Sequence, residues 1–217
     1  MKYNKYFIGM VGKTSITIRY IQGEFVPIDK SNRTINASCF EKRIQLKNKV
    51  FNLSVWDTAG EEKYHAMTPI FYRGAHGAII IFDVTNRETF KRASKWFHEL
   101  TQFAEGSTKI ILVGNKIDLP NREISRDEAM KLAKEYNCEF FEVSALEGIN
   151  VDQIFESLTM TIYNFRKKNK IEKRMELMDI KANNNTNNNN SNKKTKLNII
   201  NDIENMGVSE NRKGSCC

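Results

Sequence analysis

The chain has 217 residues, 40% of them hydrophobic, and a formal net charge of +8, which suits one well-buried core and a tail. From residue 166 onward 12 Lys/Arg stand against 6 Asp/Glu, so the tail holds +6 and the preceding body only +2. Nucleic acid needs a basic face on the folded domain, so no nucleic-acid partner is expected, whereas a basic tail suits an anionic membrane surface. No stretch reaches the roughly 20 apolar residues of a membrane span, and Met1-Lys2-Tyr3-Asn4-Lys5 lacks the apolar core of a signal peptide, so the body is expected in the cytosol. The cysteines show no zinc spacing, and Cys39 and Cys138 read as core thiols of a compartment that keeps few disulfides.

In chain order, Tyr6-Phe7-Ile8 reads as a buried strand entering Gly9-Met10-Val11-Gly12, and Lys13-Thr14-Ser15 open a helical pattern. A helix start of this kind holds phosphate, with the lysine reaching the anion and the threonine hydroxyl available to a metal. A polar connection to residue 37 follows, then strands near 38 to 47 and 50 to 57. The second alternates Phe51, Leu53 and Val55 with Asn52 and Ser54 before Trp56-Asp57-Thr58-Ala59-Gly60. An aspartate at a strand tip can hold Mg²⁺ through water, and a glycine amide can approach a terminal phosphate with no Cβ in the way.

Strands near 77 to 84, 109 to 114 and 139 to 143 then alternate with helices, the pattern of a mostly parallel sheet covered on both faces. Thr85-Asn86-Arg87-Glu88 and Ser125-Arg126-Asp127-Glu128 have the capping-box form, with each hydroxyl as the cap. The apolar run Ile110 to Gly114 delivers Asn115-Lys116-Ile117-Asp118 to a strand's carboxyl end, where open α/β sheets hold ligands. A carboxylate there can accept from the N1 and exocyclic amino groups of guanine, a pattern adenine cannot supply; Asn and Asp after a strand are also plain turn formers. Phe140 to Val143 leads into Ser144-Ala145, where a backbone amide can read the guanine carbonyl. A last helix runs from about Val151 into the 170s, and Asn183 to Asn192 is a low-complexity run expected to be disordered.

In this order the chain resembles a Ras-superfamily small GTPase and, within that group, a Rab protein. Gly12-Lys13-Thr14, Thr34, Trp56 to Gly60, Asn115 to Asp118 and Ser144-Ala145 match five nucleotide motifs over roughly residues 3 to 165. Phe71-Tyr72-Arg73-Gly74-Ala75, Gly77 to Thr85 and the terminal Cys216-Cys217 are similar to Rab. Ala37 to Phe40 and Tyr64 to Pro69 are similar to its early-endosomal branch.

The resemblance implies the P-loop small-GTPase fold, a six-stranded mostly parallel sheet with one antiparallel edge strand and helices on both faces. Residues 1–175 would form the GTPase domain, and residues 176–217 a hypervariable tail. It implies a membrane-tethered GTP/GDP switch in vesicle trafficking that hydrolyses GTP. Nucleotide would contact Gly9, Gly12, Lys13, Thr14, Ser15, Phe25, Thr34, Asp57, Gly60, Asn115, Lys116, Asp118, Ser144, Ala145 and Leu146. Thr14, Thr34 and Asp57, the last through water, would hold Mg²⁺, while Lys13, Gly60 and Glu61 would serve the chemistry. Phe40, Trp56 and Phe71 match an effector-facing aromatic triad, although aromatics on such elements are also ordinary core. Cys216 and Cys217 would carry prenyl groups. The implied partners of this monomer are an exchange factor, a GTPase-activating protein, a dissociation inhibitor, a prenylation escort and effectors.

Four positions depart from the family pattern. The phosphate loop has two residues between Gly9 and Gly12-Lys13 where four are usual, which removes up to ~7 Å of chain and with it backbone amides that wrap a phosphate. Either the loop borrows from the strand, or phosphate affinity falls, or the sequence lacks residues here. Glu61 replaces the glutamine that orients water: its charge can repel the phosphate, its basicity can activate water, or it is a solvated loop residue. The connection from Phe25 to Thr34 is two residues longer than the family pattern, and Phe25 can equally be core. Leu146 stands in place of a lysine and removes a polar partner.

Overall fold

Strand alternation explains how the sheet is covered. The computed structural model describes residues 2–27, 38–58, 74–103 and 107–184. Among these, six strands are present: β1 (Lys2–Met10), β2 (Ser38–Leu46), β3 (Lys49–Asp57), β4 (Gly77–Asp83), β5 (Lys109–Asn115) and β6 (Glu139–Glu142). Four helices accompany them: α1 (Lys13–Gln22), α2 (Arg87–Phe103), α3 (Arg126–Glu135) and α4 (Val151–Asn184). Every residue of β4 is buried, as a central parallel strand covered on both faces requires.

The strands form one sheet in the order β2-β3-β1-β4-β5-β6. Only β2 and β3 are antiparallel; β1 with β3 and β4, β4 with β5, and β5 with β6 are parallel. The expected antiparallel edge is therefore present, joined by Lys47 and Asn48 at φ 45° and 60°, the backbone that a two-residue hairpin with matching twist needs. Because side chains alternate, Ile79 and Ile81 join one core with Ile16 of α1 and Phe155 and Leu158 of α4. Ala78, Ile80 and Phe82 join the other, with Phe90 and Phe97 of α2 and Leu132 of α3. At Gly77 an added Cβ would lie 2.9 Å from Ile162 and 3.0 Å from Leu158, so α4 approaches the sheet closely there.

Two expectations are corrected. Ser125 caps α3, its Oγ accepting from the Glu128 amide at 3.2 Å. At α2, however, Asn86 is the cap, its Oδ1 accepting from the Glu88 and Thr89 amides at 3.0 and 3.3 Å. Thr85 is diverted, its hydroxyl donating to Asp83 at 2.6 Å. The second correction is to the last helix, which continues past the 170s to Asn184. The chain divides into two compact units, Met1–Phe165 and Arg166–Cys217. Asn185 to Asn192 and the terminal cysteines lie outside the described residues.

Candidate functional site

The parallel strands point their carboxyl ends to one edge, and Asp57, Asn115 and the start of α1 at Lys13 lie at that edge. β1 runs to Met10 and α1 starts at Lys13, so Val11 and Gly12 alone join them. Gly9 lies inside β1, its Cα paired with Ile80, which corrects its expected place in the phosphate loop: the shortened loop gives residues to the strand. Gly12 has φ 71°, and a Cβ there would lie 2.4 Å from Asn115 Nδ2, so only glycine lets the two loops meet. The Ile16 amide donates to the Gly12 carbonyl at 2.9 Å, opening α1 with its first amides toward this edge.

Lys13 is 5% exposed. Burial lowers its ammonium pKa to about 8, against the opposing pull of Asp57, leaving a desolvated cation that a phosphate would stabilise. Thr14 Oγ1 donates to Asp57 Oδ2 at 2.6 Å, and Asp57 is 1% exposed. A hydroxyl and a carboxylate oxygen this close form a hard-oxygen donor set that fits Mg²⁺. Ser15 is buried in the first turn of α1. Thr34, Gly60, Glu61 and Phe71 lie outside the described residues.

At the other end, Asp118 Oδ1 accepts from Ser144 Oγ at 2.5 Å, which fixes the carboxylate on its half-exposed turn. The same Ser144 oxygen accepts from the Glu147 amide at 3.0 Å, and the Ser144 amide donates to Ile149 O at 3.2 Å. The Ser144 amide is thus engaged within the turn. Ala145 N donates to the buried Asn115 Oδ1 at 3.3 Å, the long end of hydrogen-bond distances. Asn115 therefore touches both the phosphate loop and the base loop. Leu146 is 49% exposed, and its carbonyl accepts from Arg19 Nη2 at 2.6 Å.

Lys116 has φ 68°, and its ammonium meets Asp83 Oδ2 at 2.5 Å. Burial pushes the Asp83 carboxyl up, but hydrogen bonds from Lys116 and Thr85 and the Lys116 charge outweigh it and hold the group below its ordinary range. Sequence reasoning missed Asp83 and Arg19. Asp83 carries the same signal as Asp57, an aspartate closing a buried strand, while Arg19 is marked only as a cation in a helix's last turn.

Phe25 and Phe40 are half-buried against the first core. Phe40 faces Val55, and Trp56 faces Cys39, so the pleat directs Phe40 and Trp56 to opposite faces of the sheet.

The sequence model described as "Ras family" matches residues 8–164. Rab-21 of Geodia cydonium is 39% identical over 155 residues, covering 71% of this chain and 67% of its own. Rab-11C of Dictyostelium discoideum is 40% identical over 155 residues, covering 71% and 68%. Rab5A of Oryza sativa subsp. japonica is 38% identical over 148 residues, covering 68% and 72%. These near-equal identities do not single out one branch.

Proposed function

The chain belongs to the Ras family and is a Rab-type small GTPase, and from that premise we propose a membrane-tethered GTP/GDP switch in vesicle trafficking at an endosomal surface. The observation that carries this reading is the three-loop interlock, in which Asn115 contacts Gly12 and holds Ala145 while Ser144 fixes Asp118. It joins a phosphate end to a base end at one sheet edge. Lys13 binds the phosphates; Asp118 and the Ala145 amide select guanine, because a base with the wrong donors would leave a carboxylate unpaired. Thr14 and Asp57, with Thr34, would hold Mg²⁺, which supplies charge neutralisation on the phosphate oxygens when bound. Thr34 and Gly60 would follow the terminal phosphate and order the loops that effectors read, and hydrolysis would release them.

Glu61 stands where a water-orienting amide is expected; a carboxylate accepts but does not donate to the phosphoryl oxygens, so it slows hydrolysis by its charge. Because Phe40 packs against the core and Trp56 lies on the opposite face of the sheet, Trp56 with Phe71 would supply effector contacts, and an exchange factor and an activating protein would set the cycle. A dissociation inhibitor and a prenylation escort would handle lipids on Cys216 and Cys217. One prenyl chain binds membranes marginally and two bind firmly.

A second reading, a membrane-tethered binding module of the same fold with impaired turnover, is favoured by one observation: Val11 and Gly12 are all that separates β1 from α1, which removes amides from the phosphate cradle. Denaturing the purified protein and chromatographing what is released separates the two. Stoichiometric GDP or GTP supports the switch; an empty protein supports the module and contradicts the switch.

A further inference from the structure

Arg19 joins two parts of the molecule that are far apart in sequence. It leaves the last turn of α1, the helix whose first turn carries Lys13 and Thr14. Arg19 lies six positions after Lys13 in the helix, about 9 Å along the axis. Its Nη2 donates to Leu146 O at 2.6 Å and its Nη1 to Gly23 O at 2.8 Å. The fork thus spans the base loop and the turn that leads to Phe25, two parallel donors on a rigid plane. Gly148 makes room for it: a Cβ at that residue, whose φ is 77°, would stand 3.1 Å from Arg19 Nε and 3.3 Å from Nη2.

The peptide between Leu146 and Glu147 is consequently pinned from both sides. Its carbonyl is held by Arg19 and its N–H by Ser144 Oγ, which itself donates to Asp118. The backbone between these pins includes Ala145, whose long 3.3 Å bond to Asn115 leaves its amide easily redirected.

We propose that Arg19 is a positioning residue for guanine recognition: by anchoring Leu146 O it aims the Ala145 amide at the carbonyl oxygen of the base, and so links the helix that carries the phosphate ligands to base selection. The inference rests on the guanine-nucleotide reading above. Asp118 is held by a different group, the Ser144 hydroxyl, which also accepts from the Glu147 amide, so the two effects are read with separate probes.

Two diphosphate probes divide the base end. Inosine diphosphate keeps the carbonyl but lacks the exocyclic amino group, so it reports on Asp118. 6-Thioguanosine diphosphate keeps both donors to Asp118 and replaces the carbonyl oxygen with sulfur, a weak acceptor, so it reports on the loop amide. Binding of GDP and each probe is measured by calorimetry with wild type, Arg19→Ala and Arg19→Lys, the last keeping the charge without the planar fork. In both variants GDP should lose on the order of tenfold in affinity. The preference for GDP over its 6-thio analogue should fall toward one, and the preference over inosine diphosphate should stay at the wild-type value. If Arg19→Ala does not fold, Arg19→Lys decides alone. A fall in both preferences means a generally loosened site, and a fall in neither means that Arg19 only caps its helix; either overturns the proposal. A wild type that binds no guanine nucleotide, or prefers it to neither probe, overturns the guanine reading itself, whereas a selective wild type with unaltered variants overturns Arg19 alone.

Discussion

Asp83 closes β4 with a buried carboxylate that holds Lys116 by an ion pair and Thr85 by its amide and hydroxyl. Lys116 sits at φ 68°, a backbone that most side chains avoid, and the ion pair is one restraint that keeps it there beside Asp118. Because Lys116 is 40% exposed, solvent screens the pair, and Asp83→Asn should cost on the order of 1 kcal/mol. The asparagine oxygen can still accept from Thr85, so the change removes mainly the charge. The pH sign follows from the depressed carboxyl: its contribution is fully present above the ordinary aspartate range and disappears as pH falls through the lower folded value. Denaturant midpoints of wild type and Asp83→Asn should therefore differ by a constant amount near neutral pH and converge in acid. A difference that widens in acid would contradict the assignment.

Local chemistry and long-range contact compete at the helix ends, and that competition separates what the sequence disclosed from what it did not. Ser125 caps α3 as its pattern predicts, its hydroxyl oxygen accepting from the Glu128 amide. Thr85 has the same local pattern, yet Asp83 captures its hydroxyl and leaves the capping to Asn86. Removing a cap of this type costs about 1 kcal/mol. Asn86→Ala should speed hydrogen exchange at the Glu88 amide, and Thr85→Ala should leave that amide's protection in place. The reverse would return the cap to Thr85. The shortened phosphate loop is a second instance: apolar Tyr6-Phe7-Ile8 marked the strand, but only pairing with β4 shows that Gly9 and Met10 continue it.

For the whole molecule, the mostly parallel sheet and the strand-end motifs were legible because both rest on patterns within a few residues. Buried runs mark parallel strands, alternation marks β3, and the edge hairpin is short. Asn115, Lys116 and Asp118 were legible as a set for the same reason. Arg19 was not, because its partner Leu146 lies 127 residues away and an arginine late in a helix has an ordinary local explanation. Asn115 was legible as a strand-end residue but not as the contact that crowds a side chain at Gly12, which depends on two loops meeting. The tail's charge was plain in composition, whereas the run of α4 to Asn184 was not, since its later turns carry no strong apolar period.

The central claim is that these loops form a guanine-selective phosphate site, and Asp118 is where that claim is most exposed. Asp118→Asn exchanges an acceptor for a donor, which suits the exocyclic oxygen of xanthine and mismatches the amino group of guanine. Calorimetric titration of wild type and Asp118→Asn with GTP and with xanthosine triphosphate should show relative affinity moving toward xanthosine by on the order of 2 to 4 kcal/mol, the cost of a buried polar mismatch. The Ser144 hydroxyl can still donate to the asparagine oxygen, so the fold should survive the change. Relative affinities that stay the same in the folded variant would remove Asp118 from the base site and contradict the account.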